Sequence, residues 1–324
     1  MKRIFIVLTM CFMFVLCGCS NNSKDMNSLE GATNYINSLN SYSLTCNMTI
    51  YRADKEVKSV ITVDYLKPSY YKVKFSTANG HEQLIVKNNE GVYVLTPSLN
   101  KQFKFDSEWP LNSTHAYLLN AITNDIKKDS AARYEIDGNN IIIEAKLLDN
   151  ARFSTMKFYY NIVDKKPVKS EFYDTEGNVK VLAEFIDFTA NPSLSTDLFN
   201  PNLIMEQNSN EGTTNEEEET SIGVTVSYVL EGSNLASSQA LDDCTVLVYS
   251  GEKSYTIIVK KTEVYQSCIA MDSYNNFEIL ESGLLLSGNS CYKYYVNDLE
   301  VSIYSNSLTF DDVLEIISNG LIIE

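Results

Sequence analysis

Residues 83–126 read QLIVKNNEGVYVLTPSLNKQFKFDSEWPLNSTHAYLLNAITNDI, and they contain the change of pattern that decides the fold. Leu84–Lys87 and Val92–Thr96 are short runs of strand-favouring residues, and Asn88–Gly91 between them has the composition of a hairpin turn. A third run, Lys101–Phe105, alternates aromatic and polar side chains, as a strand with one buried face does. The first part of the stretch therefore predicts three antiparallel strands.

The second part of the stretch predicts a helix. Trp109-Pro110 interrupts the strand pattern, and Ser113 can act as the N-cap of a helix. The apolar residues that follow recur at helical spacing: Leu118, Leu119, Ile122 and Ile126. A sheet therefore leads into a helix that must lie on it, and we expect Trp109 to plug the rim of that sheet.

The charge of the chain is divided unevenly. The chain has 324 residues, which is enough for two domains, and a formal net charge of −16 at pH 7. Residues 1–205 contain 22 acidic and 22 basic side chains, whereas residues 206–324 contain 20 acidic and four basic ones. An acidic half repels phosphate groups, so the composition argues against nucleic-acid binding.

Residues 1–18 have the organisation of a bacterial lipoprotein signal peptide. A basic start precedes the apolar run Ile4–Leu16, which is too short to span a bilayer as a helix. The run leads into Leu16-Cys17-Gly18-Cys19, and such signals offer the thiol of the last cysteine to a diacylglyceryl group. The alternative is an ordinary secretory signal, but a polar tether, residues 19–26, follows at once. We therefore predict an extracytoplasmic lipoprotein anchored to the cell membrane by acyl chains on Cys19.

The first domain, residues 27–205, is predicted to be mainly β. Beyond the opening stretch, alternating patterns predict strands at 44–51, 57–66, 70–76, 140–148, 153–160, 167–173 and 179–188, with a further piece near Tyr134. Helices are predicted at 28–39 and 114–126. A sheet of about ten strands must curl, so we expect an antiparallel half-barrel covered by two helices.

The C-terminal part is predicted to be a linker followed by a smaller β-rich domain. Residues 206–221 are polar and acidic, as in flexible linkers, and Glu216–Glu219 is more typical of solvated charge than of a calcium site. Residues 222–324 are predicted to contain strands at 224–230, 244–250, 254–260, 277–286 and 292–304. A final helix begins after Thr309 as its N-cap, with Asp311 and Asp312 in its first turn.

The alternating faces of the first domain provide a candidate groove for a ligand or partner. Its residues are Tyr71, Val73, Phe75, Phe103, Phe105, Trp109, Met156, Phe158 and Tyr160. In most sheets such side chains form the core beneath helices. They become a groove if the two predicted helices leave part of the concave face uncovered.

The sequence contains no recognisable catalytic or metal-binding motif. His81 and His115 lack metal-ligand spacing, and nucleophile-elbow, P-loop and dinucleotide-binding patterns do not occur. Glu108 has no identifiable carboxylate partner for a glycosidase mechanism. The cysteines beyond the signal segment are not in CxxC spacing and are expected to be free thiols: Cys46, Cys244, Cys268 and Cys291. We therefore expect no enzyme activity, no cofactor and no metal.

A series of short motifs runs along residues 64–199. They are DYLKP at 64–68, YKVK at 71–74, GVYVLTP at 91–97, FIDF at 185–188, NP at 191–192 and DLF at 197–199. In this order the motifs resemble the lipoprotein-carrier superfamily, whose members LolA and LolB are incomplete antiparallel barrels that hold acyl chains under helices. Within it, residues 95–119 are most similar to lipoproteins of spore-forming Firmicutes, including the clostridial germination lipoprotein, which acts with a cell-wall amidase in preparing the spore cortex.

The resemblance implies a non-enzymatic envelope lipoprotein whose first domain binds a partner protein, such as a peptidoglycan amidase in spore cortex formation or germination. The alternative is a module that binds or carries a hydrophobic ligand, an acyl chain or a lipoprotein. This chain departs from the soluble carriers in its anchor and in the residues beyond 205. Its four Arg against 22 Lys point to an AT-rich, Gram-positive source without an outer membrane, which disfavours literal lipoprotein shuttling.

Overall fold

The computed structural model describes residues 26–323 with gaps at 52–55, 78–81, 98–100, 106–108, 110–114, 149, 151, 210–223, 227, 242–243, 262–268, 271–275, 281–282, 289 and 297–298. The described residues form a large sheet of twelve strands, a small sheet of seven strands and a pair of short strands. They include four α-helices: α1 (Leu29–Ser38), α2 (Leu119–Lys128), α3 (Pro201–Ser209) and α4 (Phe310–Gly320).

The large sheet is open, and eleven of its strands are antiparallel. These are β1 (Ser41–Tyr51), β2 (Glu56–Leu66), β3 (Tyr70–Thr77), β4 (Glu82–Asn88), β5 (Gly91–Thr96), β6 (Lys101–Phe105), β7 (Arg133–Asp137), β8 (Asn140–Lys146), β9 (Thr155–Asn161), β10 (Lys166–Tyr173) and β11 (Val179–Ala190). Their order is β6-β5-β4-β3-β2-β1-β11-β10-β9-β8-β7. The predicted mainly β fold with a large antiparallel sheet is confirmed, with eleven strands in place of about ten.

Turn residues set the register of the hairpins within this sheet. Gly91 ends the β4–β5 turn with a φ of 148°, and Gly177 has a φ of 84° in the turn between β10 and β11. The Asp174 carboxylate in that turn accepts backbone N–H bonds from Glu176 and Asn178, each 2.9 Å long. These bonds lower the pKa of the Asp174 carboxylate to about 2, and the bond from Asn178 makes the largest contribution. The β4–β5 turn was predicted as a hairpin from its composition.

Helices α1 and α2 lie on the inner face of the sheet, the face that carries Tyr71, Val73 and Phe75. The Ser28 hydroxyl caps α1 by accepting a 3.0 Å hydrogen bond from the Gly31 N–H. Helix α2 begins later than predicted, and its N-cap, Leu118, provides no side-chain hydrogen bond. The predicted cap, Ser113, lies outside the described residues.

The opposite, outer face is covered at one end by a helical segment that was not predicted from the sequence. A short 3-10 helix, Thr196–Phe199, and α3 pack there through Phe199 and Ile204. The strand residues beneath them are Leu84, Val86, Tyr93 and Leu95. The first residues of the predicted linker, 206–209, therefore belong to α3, and residues 210–221 lie outside the described part of the chain.

The small sheet contains seven strands and a covering helix. Its strands are β13 (Ser233–Ala240), β14 (Cys244–Gly251), β15 (Tyr255–Lys261), β17 (Asn276–Ile279), β18 (Gly283–Ser287), β19 (Cys291–Val296) and β20 (Leu299–Tyr304). The remaining short strands are β12 (Val224–Val226) and β21 (Leu321–Ile323), which pair with each other, and β16 (Ile269–Ala270). Helix α4 packs on one face of the small sheet through Val313, Leu314, Ile316 and Ile317.

The structure corrects three predictions for this part of the chain. Residues 277–286 and 292–304 were each predicted as one strand, but each is divided between two strands of a hairpin. The third correction is β13, which was not predicted because its side chains, apart from Leu235, are polar or small and most are exposed. Thr309 does cap α4, because its N–H and hydroxyl both donate to the Asp312 carboxylate while the Asp312 N–H donates to its hydroxyl.

Candidate functional site

The predicted groove residues lie on the inner face of the large sheet. Eight of the nine have described side chains and are buried: Tyr71, Val73, Phe75, Phe103, Trp109, Met156, Phe158 and Tyr160. All eight belong to one continuous hydrophobic cluster. The side chain of the ninth, Phe105, lies outside the described part of the structure. Different parts of the chain cover the two ends of this cluster.

Helices cover the end formed by β8, β9 and β10. Helices α1 and α2 pack against each other and against β8. Tyr35 of α1 places its ring 6.5 Å from that of Tyr160 on β9. The segment before α2 then crosses the sheet, because the Ser170 hydroxyl on β10 donates to the Ala116 carbonyl and Tyr117 meets Phe75 on β3 at 5.5 Å between rings. This end is built entirely from the first 190 residues.

The small sheet covers the other end. Leu284 and Leu286 of β18 and Tyr295 of β19 are buried in the same cluster as the groove residues. The Tyr295 ring centroid lies 4.8 Å from that of Phe103 on β6. Leu285, between the two leucines, points to the opposite side and belongs to the core beneath α4. Strand β18 is therefore buried on both faces, and one of those faces fills the predicted groove.

A short strand from the C-terminal part of the chain pairs with the edge of the large sheet. Strand β16 lies parallel to β6, with Ile269 opposite Phe103 and Ala270 opposite Lys104. It is the twelfth strand of the large sheet and lies beyond β6 in the strand order. The N–H and C=O groups along an edge strand can pair with an added strand, and here the same chain supplies that strand.

Arg152, in the loop between β8 and β9, links the two sheets at the rim. Its Nη1 lies 2.9 Å from Glu278 Oε2 on β17, and its Nε lies 3.6 Å from Asp311 Oδ1 in the first turn of α4. The guanidinium also lies 5.5 Å from the Phe153 ring and 5.2 Å from the Phe310 ring. A planar guanidinium suits such combined ion pairing and stacking.

The sequence offers two signals for this interface, and the strand prediction used neither. The first is Leu284-Leu285-Leu286, a run without alternation, which indicates a strand buried on both faces. The second is Arg152, one of only four arginines in the chain. Neither signal identifies the large sheet as the surface that receives the second face of β18.

A row of aromatic rings lines the middle of the inner face. Tyr42, Tyr65 and Tyr71 follow one another at 4.9 Å between ring centroids, and Trp109 lies 5.6 Å beyond Tyr71. Trp109 Nε1 donates a 2.9 Å hydrogen bond to His115 Nε2. This bond requires Nε2 to be unprotonated, and burial lowers the pKa of His115 to about 4. His115 is therefore a neutral part of the packing at pH 7.

The described residues do not group into a metal site. Among them, no cluster of three or more His, Cys, Asp or Glu side chains is arranged to hold a metal ion. Cys46 is buried, and burial raises the pKa of its thiol to about 12, which makes it a poor nucleophile. Cys244 and Cys291 form no disulfide bond within the part of the chain that the structure describes. His81, Glu108 and Cys268 lie outside the described residues.

The outer face of the large sheet carries an open depression of about 700 Å³. Its lining comes from β1, β2, β3 and β11 and includes Thr49, Tyr51, Lys58, Val60 and Leu182. Lys58 and Glu56 within it form a 2.9 Å ion pair and are both largely exposed. The depression is shallow and polar in part, and it lies on the opposite side of the sheet from the predicted groove.

Two remaining observations concern membrane attachment. The predicted lipidation site, Cys19, lies within residues 1–25, outside the described part of the structure. In the part that is described, every helix is too short or too polar to cross a membrane.

Comparisons with known proteins identify relatives of the chain. A family model described as "Sporulation protein YdcC-like" matches residues 1–199. A relative from Bacillus subtilis (strain 168), "Sporulation protein YdcC", is 25% identical over 273 residues, which cover 81% of this chain and 80% of the relative. The description of the family names no catalytic activity.

Solved structures are also similar to the chain. One is a LolA superfamily protein from Nitrosomonas europaea, with 14% identity and a TM-score of 0.33, covering 55% of this chain and 99% of that one. Another is a chain from the structure of the CwlD amidase of Clostridioides difficile in complex with the GerS lipoprotein. It has 17% identity and a TM-score of 0.24, and the match covers 48% of this chain and 89% of that one.

The predicted similarity to proteins of spore-forming Firmicutes is confirmed by the family model and by the Bacillus subtilis relative. The family model covers more than half of the chain, from residue 1 to the 3-10 helix that packs on the outer face. The chain belongs to the sporulation protein YdcC-like family.

Proposed function

We propose that the protein is a non-enzymatic lipoprotein that is anchored to the outer face of the cell membrane and binds a partner protein of the envelope during sporulation. The name of the Bacillus subtilis relative supports the link to sporulation. The resemblance of residues 95–119 to a germination lipoprotein that acts with a cell-wall amidase favours a peptidoglycan amidase as the partner. The division into a first domain (27–205), a linker (206–221) and a second domain (222–324) is part of this proposal.

The observation that carries the proposal is the occupied inner face. An acyl-chain carrier needs an apolar cavity into which the chain can enter. Here the corresponding surface is filled by Leu284, Leu286 and Tyr295 of the same polypeptide. A half-barrel filled by protein is better suited to assembly with protein than to transport of lipid. This favours the scaffold over the alternative of a hydrophobic-ligand carrier.

The anchor is tested by replacing the predicted lipidation site. Cys19→Ala removes the sulfur that would form the thioether, so we expect the protein to leave the membrane fraction and to lose incorporation of labelled fatty acid. Cys17→Ala, two residues upstream, is the matched control and should stay lipidated. If Cys19→Ala remains in the membrane fraction and still incorporates fatty acid, the assignment of the anchor is wrong.

Partner binding is tested with the full mature chain. The protein is extracted from sporulating cells, analysed by native mass spectrometry and lipid extraction, and titrated with a peptidoglycan amidase from the same cells. We expect saturable amidase binding and no stoichiometric acyl ligand other than the anchor. A chain that retains one acyl ligand per molecule and does not bind the amidase would favour the carrier alternative.

A further inference from the structure

The inner face and the edge strand β6 together form a site whose chemistry suits a polypeptide. The floor of the site is apolar and contains the fully buried Phe103 ring. Its border is the edge of β6, where backbone groups pair with β16. An acyl chain could cover the apolar floor, but it has no N–H or C=O groups with which to pair the strand edge. Only an extended peptide satisfies both parts.

A charged group at the rim adds a third requirement. Arg152 binds Glu278, and both side chains are partly buried. The occupant of the site therefore combines an apolar strand, an aromatic ring against Phe103 and a carboxylate within reach of Arg152. The small sheet supplies these through β18, Tyr295 and Glu278.

The small sheet, which occupies the site in this structure, has a hydrophobic core of its own. Leu284, Leu286 and Tyr295 lie on the face of the small sheet that is turned away from α4. The core beneath α4 is separate and is supplied by other residues of the same strands, including Leu285, Tyr294 and Val296. The small sheet can therefore leave the large sheet without opening its own core.

We propose that the small sheet and β16 together are an exchangeable occupant of a peptide-binding site formed by the inner face, the β6 edge and Arg152, and that an extended apolar segment with a carboxylate, supplied by the partner protein, replaces them. This rests on the proposed function, since it specifies how the envelope partner is bound. Because the small sheet is covalently tethered to the site, it competes at a high effective concentration and keeps the site closed until a partner arrives.

The test uses the full mature chain and a fluorescein-labelled peptide with the sequence of residues 269–296, which spans β16 to β19. Leu286→Asp places a charge in the interface but not in the core beneath α4, so it should release the small sheet. We expect this variant to bind the peptide roughly ten-fold more tightly than the wild type, or better. Leu235→Asp is the matched control, because Leu235 is an exposed leucine of the same sheet. It should bind as the wild type does.

A second variant keeps the proposal testable if Leu286→Asp does not fold. Glu278→Gln removes the nearer of the two carboxylates that pair with Arg152 and leaves the longer, more exposed contact with Asp311, so that the glutamate of the peptide can take the place of Glu278. Its side chain is partly exposed, so the fold should tolerate the change. We expect peptide affinity to increase about three-fold to five-fold. Adding Arg152→Ala to this variant should abolish the gain.

The outcomes separate this inference from the proposed function. A folded Leu286→Asp variant and a folded Glu278→Gln variant that both bind the peptide no better than the wild type would overturn the exchangeable site, whether or not an amidase binds elsewhere. Displacement of the peptide by 11-(dansylamino)undecanoic acid at comparable affinity would identify the site as one for acyl chains. Peptide binding without any amidase binding would support the site and contradict the proposed partner.

Discussion

The two ends of the inner face are both lined by buried apolar side chains, but different parts of the chain cover them. At one end, Phe158 and Tyr160 pack under α1 and α2, which belong to the same part of the chain. At the other end, Phe103 packs under Tyr295, which follows it by almost two hundred residues. Both ends are buried, but the second is covered by the small sheet and is bordered by β6, whose edge pairs with β16. An apolar sheet face can therefore be a permanent core at one end and an interface at the other.

The largest expected effect distinguishes these two ends directly. Phe158→Ala removes a fully buried ring beneath the helices, so we expect the free energy of unfolding of the large sheet to fall by about 3–5 kcal/mol. Phe103→Ala removes a ring that is equally buried but is shared with the small sheet. Its main effect should be to loosen the small sheet, with a smaller loss in the large one.

Urea unfolding measures this contrast when one probe follows Trp109 in the large sheet and hydrogen exchange follows β14 and β15 in the small sheet. The comparison fails if the two substitutions lower the stability of the large sheet equally and leave exchange in the small sheet unchanged. That result would mean that both ends belong to one indivisible core.

Much of the fold could be predicted from the sequence because its information is local. The alternation of Tyr71, Val73 and Phe75, and the turn ending at Gly91, depend on neighbours within a few residues, and both predictions agree with the structure. The capping of α4 by Thr309 was found for the same reason. Local pattern and turn chemistry therefore predicted the strands of the large sheet and its antiparallel character.

The parts that could not be predicted depend on distant segments. Tyr295 and Phe103 meet because two sheets dock, and neither the spacing nor the composition of either strand specifies the other. The start of α2 was predicted too early because its N-terminus is set by packing of the preceding segment and not by a side-chain cap. Eight of the nine predicted groove residues lie in one hydrophobic cluster, and whether they bind a ligand stays a prediction.

The middle of the inner face provides a test that depends on pH. The pKa of His115 is lowered to about 4 by burial, against about 6.5 for an exposed histidine. As the pH falls, the unfolded chain therefore takes up a proton before the folded one does, and the free energy of unfolding should decrease between about pH 6.5 and about pH 4. His115→Gln keeps an acceptor for Trp109 Nε1 but does not titrate, so its profile should be flatter in this range.

The measurement is urea unfolding of both proteins across that range, with values above about pH 7 as the internal reference. Carboxylates also titrate near the lower limit, but they are the same in both proteins and cancel in the difference. A difference that stays constant from about pH 7 to about pH 4 would show that His115 is not held neutral by the fold.

The smallest expected effect tests whether the large sheet and the small sheet unfold separately. Ser28 caps α1 above the large sheet, and Thr309 caps α4 above the small sheet. Replacing either with Ala removes one N-cap, which typically costs about 1 kcal/mol. If the small sheet is an exchangeable occupant, Ser28→Ala should lower only the stability of the large sheet and Thr309→Ala only that of the small one.

The Thr309 cap also has its own pH limit. Burial alone would raise the pKa of Asp312, but hydrogen bonds from Lys253 and Thr309 outweigh burial and lower it. The stabilisation is therefore present above about pH 4, near the unfolded value, and is lost as the pH falls through the lower folded value. Hydrogen exchange of α1 and α4 at about pH 7 resolves the two effects, and a Thr309→Ala change that spreads to α1 would mean that the sheets unfold as one body.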